Sequence, residues 1–387
     1  MKIKAAVMEK SDGVLTRCSI KLEDVELEGP RADEVLLKIM SCGVCGTDRG
    51  CLHGQEPYPS PGVLGHEGAG AVEAVGAEVD NVRVGDRVVA GFPFCGKCRS
   101  CRRGQPRYRL HGADLMFSGW RLDGSSPMQR SDGEKLAARF FQQFSWATHA
   151  VALGRQVVKV PDGVDADLMG PLGCSITTGA GAVLNELRPV PNSSLAIFGA
   201  GNVGLAAVMA ARLSGATTII AIDKVPARLA LARELGATHT IEGGSDAVRE
   251  VKDITSGELD YAIEATNGSN LVAEAVEALG TLGVCAMVGG AKATAPVKLA
   301  HGDMLHEGKT LTGVMGGGGH RDQAYPDDGL ITGDGDDPHG LPARGPTSRA
   351  PRRRLLQAGR PQYFVKTCAP QRLTLTNGAG AGDDGGR

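Results

Sequence analysis

Neither charge is in excess in this 387-residue chain: 42 Lys and Arg face 44 Asp and Glu, a net -2 at pH 7. Nothing in that balance draws the protein as a whole to nucleic acid or to an anionic membrane. No apolar run reaches the length of a membrane span, and Met1 to Glu9 has neither the apolar region nor the cleavage site of a secretory signal. These absences lead to the expectation of a cytoplasmic protein with no nucleic-acid or membrane partner. Aromatic side chains are scarce, at 4%, so an aromatic-lined site would have to draw on few residues. Cysteine is not scarce. Ten of them in a reducing compartment argue for metal ligation or plain burial before disulfides. The length suits about two domains, each with its own core.

The chain is organised around Leu195 to Asp223 (LAIFGAGNVGLAAVMAARLSGATTIIAID). The apolar run Leu195–Phe198 reads as a buried parallel strand, and Gly199, Gly201 and Gly204 follow it in G-x-G-x-x-G spacing. Small and apolar residues from Asn202 to Leu213 read as a helix pressed on a sheet, and Thr217–Ile222 as a second strand. Glycines at such a turn let backbone approach a pyrophosphate, whose charge meets the free N–H groups at the helix start. Gly199, Gly201, Asn202, Val203 and Gly204 are therefore the expected phosphate-binding residues. Asp223, about twenty residues on, is placed to accept from a ribose 2′-OH and would repel a 2′-phosphate. The expected cofactor is NAD rather than NADP, with Arg228 able to reach the ribose or a phosphate.

Residues 1 to about 90 read differently, as short strands split by Gly and Pro: Ile3–Met8, Val35–Met40, Ala69–Val75 and Asp86–Ala90. This is the pattern of a barrel-like, all-β lobe that carries functional side chains on its loops. Cys45 and His66 lie within it, and Cys174 just before the Gly-rich unit. Two thiolates and an imidazole drawn from three loops make an open, three-ligand zinc site of the catalytic kind. Each of the three taken alone reads equally well as a buried, inert residue.

Five motifs occur in order: G-V-C-G-T-D, G-H-E-G-A-G, a close cysteine triplet, P-L-G-C-S-I-T-T-G and G-A-G-N-V-G. Together they resemble the zinc-dependent alcohol dehydrogenases of the medium-chain dehydrogenase/reductase family, from Met1 to about Gly319. Within that family the wording of Phe92–Ser118 and Gly170–Asn192 is most similar to the aryl-alcohol, or benzyl-alcohol, dehydrogenases. The resemblance implies an α/β protein with a GroES-like catalytic domain over residues 1–175, a Rossmann coenzyme domain over 176–316 and an active site in the cleft between them. It implies NAD and zinc as cofactors, an aromatic alcohol or aldehyde as the small-molecule partner, and a homo-oligomer, since family members are commonly dimers or tetramers. Cys45, His66 and Cys174 match the catalytic-zinc ligands. Asp48 matches the carboxylate that orients the ligand histidine, and Thr47 the hydroxyl that passes a substrate proton outward. Glu67 lies beside the metal. Zinc would supply Lewis acidity, lowering the pKa of the alcohol. Phe94, Phe117, Phe140, Phe141 and Trp120 are candidates for the wall of an apolar slot, or else core.

Cys95, Cys98 and Cys101 have strong metal-ligand spacing. In the family a fourth cysteine follows the third by eight residues and completes a structural zinc site; here that position is Arg109. A guanidinium cannot ligate zinc. The expectation is a weakened or missing structural zinc.

Beyond Asp223 the alternation continues with a helix at Pro226–Leu235, strands at Thr238–Ile241, Leu259–Glu264, Gly283–Gly289 and Thr310–Met315, and a helix at Asn270–Leu279. That is a doubly wound parallel sheet. Residues 317–387 break the pattern: Asp, Gly, Pro and Arg crowd Arg321–Arg354, and only Phe364–Thr367 echoes the family segment that should return to the catalytic domain. The tail reads as disordered or as a shifted reading frame. An alternative function follows from it, a catalytically impaired NAD-binding protein; a zinc-bearing interaction module is a third.

Overall fold

Nearly every side chain of Glu34–Gly43 (EVLLKIMSCG) is buried, so this segment has to be an interior strand. The structure, a computed structural model, describes residues 1–10, 18–266, 268–290, 294–318, 363–368 and 372–377. Residues 1–94 and 111–174 form one compact unit, and residues 95–110 and 175–318 a second. No helix among the described residues is long and apolar enough to cross a membrane.

The first unit is built on two sheets. In the smaller, β1 (Lys2–Lys10) runs antiparallel to β2 (Cys18–Leu27), with β4 (Gly62–Val63) and β7 (Met128–Gln129) at the edges, in the order β4-β1-β2-β7. In the larger, β3 (Glu34–Gly43) pairs with β5 (Glu67–Val75) and with β8 (His149–Leu153). β6 (Arg87–Ala90) and β9 (Val157–Lys159) extend it on the β5 side. The helices are short: α1 (Gly46–Leu52), α3 (Gly112–Phe117) and α4 (Ala166–Met169). β2, with its Lys21, Glu23, Asp24 and Glu26, shows no apolar face in sequence; nine rungs with β1 hold it as a strand.

The second unit contains the six-stranded parallel sheet expected of the Gly-rich region. Its strands are β10 (Ser194–Phe198), β11 (Thr218–Asp223), β12 (His239–Glu242), β13 (Tyr261–Glu264), β14 (Val284–Met287) and β15 (Thr310–Gly313), in the order β12-β11-β10-β13-β14-β15. The order reverses between β10 and β13, the place where α/β sheets open a crevice for ligands. The expected helices are present as α6 (Asn202–Leu213), α7 (Pro226–Leu235) and α9 (Ser269–Ala278). Sequence reading missed α8 (Ala247–Thr255), a short helix whose Ala247 and Val251 join Phe198, Ile222, Leu259 and Val276 in the core. Residues 95–110, with helix α2 (Arg99–Arg102), interrupt the first unit in sequence yet pack with the second. Tyr108 ties them there, its hydroxyl donating to Gly313 O at 2.8 Å.

Of the tail, two strands fall among the described residues, β16 (Tyr363–Cys368) and β17 (Arg372–Asn377). β16 adds to the free edge of β3 with Phe364 opposite Gly43 and Lys366 opposite Ser41, so the segment that echoes the family lies on the strand that carries Gly43. The remaining expectations for residues 319–387 lie outside the described residues.

Beneath β3 the first unit buries charge. Glu34, 2% exposed, receives a two-pronged hydrogen bond from Arg121, Nε to Oε1 and Nη2 to Oε2, both 2.9 Å. Arg139 approaches at 3.2 Å and the Arg31 amide donates at 3.0 Å. Burial raises the Glu34 pKa, but the Arg121 hydrogen bonds and the Arg139 charge outweigh it, and the net shift is downward. A depressed carboxyl stabilises the fold fully above its unfolded pKa, near 4.5, and loses that contribution as pH falls through the folded value. Glu34→Gln leaves two buried guanidiniums short of a counter-charge and should cost about 3 kcal/mol at pH 7. Urea unfolding would show the gap to wild type closing as pH drops below about 4; a pH-independent gap would contradict this account.

Candidate metal centre and nucleotide-binding turn

Three loop segments of the first unit meet at Cys45, His66 and Cys174, whose ligand atoms all lie within 4.8 Å of one another. Cys45 is the N-cap of α1: its sulfur accepts from Thr47 N at 3.3 Å, and its own amide donates to Asp48 Oδ2 at 2.9 Å. The same Asp48, fully buried, accepts from Gly65 N at 3.1 Å and lies 3.2 Å from His66 Nδ1. One carboxylate therefore fixes the helix start, the loop before β5 and the tautomer of the imidazole. With Nδ1 so engaged, His66 Nε2 is turned to the cysteines, 3.1 Å from Cys45 Sγ. Cys174 closes the group from the turn after Gly170–Gly173; a Cβ at Gly173 would strike Ala90 O, so glycine there lets the turn lie against β6.

Charges within the cluster agree with ligation. Cys45 is held well below an ordinary thiol pKa, first by a hydrogen bond from Cys174 and then by His66 against the opposing effect of burial. The same contact, with burial, pushes Cys174 up. Burial depresses His66, yet Asp48 and Cys45 raise it further, so its net shift is upward. Two partly buried thiols and one buried imidazole, their ligand atoms within 4.8 Å of one another, are a donor set suited to a divalent cation.

Aromatic rings surround the histidine. Phe141 stacks on it at 4.4 Å between centroids and 27° between planes, and Phe140 meets it edge-on at 5.3 Å. Phe117 contacts both phenylalanines, and Phe92 contacts Phe141. Phe140 is fully buried and packs on Tyr58, so for this ring the core reading holds. Phe117 and Trp120 are half-buried, and Phe94 contributes its carbonyl, which accepts from Arg155 Nε at 2.6 Å. Sequence reading missed Gln143. Its amide donates to His66 O at 2.8 Å, and its Oε1 accepts from Gly68 N and from Ser145 Oγ. Phe141, Gln142 and Phe144 all have positive φ, a left-handed run that pattern reading has no means to anticipate. Glu67 is wholly buried, with its carboxylate where a side chain on residue 43 would otherwise be.

In the second unit the turn after β10 has the expected form. Gly199 has φ 100°, which only glycine adopts freely, and a Cβ at Gly204 would strike Gly199 O. Gly201 caps α6, with Asn202 and Val203 as its first helical residues. Asp223 ends β11; its Oδ2 accepts from Ala200 N at 2.8 Å and its Oδ1 from Val225 N at 2.9 Å. Arg228 lies 3.5 Å from the same carboxylate, so here it is a partner of Asp223.

Cys95, Cys98 and Cys101 also form a cluster, with Cys95 Sγ and Cys101 Sγ 3.7 Å apart and Leu110 N donating to Cys98 Sγ at 3.4 Å. Arg109 is 6% exposed. Burial and the neighbouring Arg107 lower its pKa to about 10, the three thiols opposing, so it stays cationic at neutral pH. A closed, four-cysteine zinc site is not formed among the described residues, since the family's fourth-cysteine position is Arg109, which cannot ligate zinc. His111, two residues further on, is exposed and pairs with Asp114 at 3.3 Å.

A nucleotide-type parallel sheet with a glycine turn, together with a β-rich unit bearing a Cys-His-Cys donor set, defines a metal-dependent, dinucleotide-linked dehydrogenase. The model for the alcohol dehydrogenase GroES-like domain matches residues 31–162, and that for zinc-binding dehydrogenases matches 202–328. Geraniol dehydrogenase of Castellaniella defragrans is 40% identical, over 85% of this chain and 90% of its own length. The crystal structure of benzyl alcohol dehydrogenase from Acinetobacter calcoaceticus is 38% identical, covering 85% of this chain and 92% of that one, with a TM-score of 0.77. An alcohol dehydrogenase zinc-binding domain protein from Burkholderia ambifaria gives 40% identity and a TM-score of 0.81, over 86% of this chain and 88% of that one. The chain belongs to the zinc-dependent alcohol dehydrogenases of the medium-chain dehydrogenase/reductase family. It is an oxidoreductase that acts on alcohols, with zinc and a nicotinamide dinucleotide as the family's cofactors.

Asp48 offers a direct check on the donor set. Asp48→Asn keeps the shape but removes the charge that faces His66, and zinc affinity measured by chelator competition should fall about 10- to 100-fold. Unchanged zinc retention would mean that the imidazole is held by something else.

Proposed function

We propose that the protein oxidises a primary alcohol of the benzyl type to its aldehyde and passes the hydride to NAD. The observation that carries the substrate class is the cluster of phenylalanines on His66: Phe141 stacked on the imidazole, with Phe92 and Phe117 packed around it. Apolar rings beside the donor set favour a flat, apolar substituent on the carbinol carbon and exclude competing water. The similar benzyl alcohol and geraniol dehydrogenases point the same way, because both named alcohols carry the hydroxyl on a carbon next to an sp² carbon. The aldehyde from either is conjugated. A geraniol-type alcohol is the second reading, favoured by the 40% identity of that relative.

In this reading Cys45, His66 and Cys174 hold the zinc, and when bound it supplies the Lewis acidity that makes the alcohol proton easier to remove. Asp48 fixes the imidazole so that Nε2 faces the ion. The Thr47 hydroxyl, half-buried at the first turn of α1, would relay the substrate's proton, accepting it as it gives its own outward to solvent. Glu67 adds buried negative charge near the two thiolates. Gly199, Gly201, Asn202, Val203 and Gly204 hold the pyrophosphate, and Asp223 accepts from the adenosine ribose, with Arg228 beside it. A carboxylate there disfavours a 2′-phosphate, which is the argument for NAD.

Benzyl alcohol, geraniol and straight-chain alcohols assayed with NAD and with NADP test the reading. The expected order of kcat/KM is benzyl alcohol first, geraniol next and saturated alcohols last, all with NAD and all abolished by a zinc chelator. Preference for a saturated alcohol would refute the substrate class, and NAD binding without any turnover would select the impaired, nucleotide-binding alternative. Asp223→Gly removes a charged hydrogen bond worth about 1.5–3 kcal/mol. The KM for NAD should rise about 10- to 100-fold, with that for NADP rising less or falling.

A further inference from the structure

The cysteine triplet of the second unit differs from the Cys-His-Cys group in what surrounds it. From Cys95 to Arg109 there are six cationic residues, Lys97, Arg99, Arg102, Arg103, Arg107 and Arg109, and no acid or histidine. Two of the six, Arg107 and Arg109, are buried, at 8% and 6% exposure. The three sulfurs stay partly accessible and within ligating distance of one another. The Leu110 amide on Cys98 Sγ brings the backbone directly after Arg109 onto the cluster, and the Arg109 guanidinium turns back to donate to Arg107 O at 3.1 Å.

We propose that Cys95, Cys98 and Cys101 form a three-coordinate, all-sulfur site for a soft monovalent cation of the copper(I) class, with Arg109 in place of a fourth ligand. Zinc with three thiolates carries one negative charge and is closed only by a fourth donor, which here would have to be water because Arg109 cannot ligate. A soft monovalent ion is satisfied by three thiolates, and soft sulfur ligands select it. The complex then carries two negative charges, which the buried Arg109 and the five other cations of the loop oppose. The 3.7 Å between Cys95 Sγ and Cys101 Sγ puts both within reach of one ion at metal–sulfur bonds of about 2.3 Å, and a planar three-coordinate complex would open it to about 4.0 Å. The site is separate from the alcohol site, and its occupancy can be read without turnover.

The test uses the full chain, reduced and handled without oxygen. Zinc is counted by elemental analysis, and copper(I) is titrated against a bathocuproine chelator with copper–thiolate emission as the signal. Wild type should hold one zinc per chain and take up one copper(I) that Cys101→Ser does not. Arg109→Cys should convert the site, raising zinc to two per chain and weakening copper(I) uptake. If Cys101→Ser does not fold, as judged by circular dichroism, Cys95→Ser serves in its place. Two tightly held zinc ions in wild type, equal copper(I) uptake by wild type and the serine variant, or no gain of zinc in Arg109→Cys would each overturn the proposal.

Discussion

A single buried carboxylate sets the geometry of the candidate metal centre. Asp48 accepts from Cys45 N and Gly65 N and sits 3.2 Å from His66 Nδ1, groups on two segments that would otherwise be free to move apart. In a site without solvent a carboxylate is costly unless every lone pair is answered, and here burial does raise the Asp48 pKa while the His66 charge and hydrogen bond oppose it. The cost is offset only when both ligand-bearing segments are in place. Folding of the loop and orientation of the imidazole are thus one event, which is how a site made of three loops gains the precision that loops lack by themselves.

Beneath that arrangement lies a second layer that fixes backbone rather than side chains. Gln143 holds His66 O and Gly68 N, and it comes from the left-handed run through Phe141, Gln142 and Phe144. That run places Phe141 flat against the imidazole. Residues this bulky adopt positive φ only where the surroundings over-determine them. The surroundings here are the aromatic packing of Phe92, Phe117 and Phe140, so the same rings that shape the apolar side of the site also hold the strained backbone that locks it.

The sequence makes the nucleotide turn legible because its chemistry is backbone chemistry: Gly199 and Gly204 are required by φ and by close approach, and no other residue type would serve. The candidate metal ligands are legible for a different reason, since Cys and His within characteristic motifs make a specific donor set. Gln143 could not be found that way. Its role depends on which carbonyl happens to lie opposite, a fact of tertiary packing. β2 is similarly hidden, because hydrogen bonds to β1 define it and its own side chains mostly face outward. Residues 95–110 group with the second unit, where the Tyr108 hydroxyl reaches Gly313 O across 205 residues of chain, a contact no local pattern announces.

The two sulfur clusters show how little residue type decides once neighbours are counted. One has an imidazole, two buried carboxylates and no buried cation among its named partners; the other has two buried guanidiniums and no carboxylate in its loop. A divalent ion needs the surplus negative charge of the first, and only an ion with one charge fewer leaves the second near neutrality. Arg109 is therefore not a passive gap in a zinc motif. By remaining cationic in a buried position it changes which ion the three sulfurs can hold, and the loop keeps its folded path through Tyr108 and the Leu110 amide without needing the fourth sulfur.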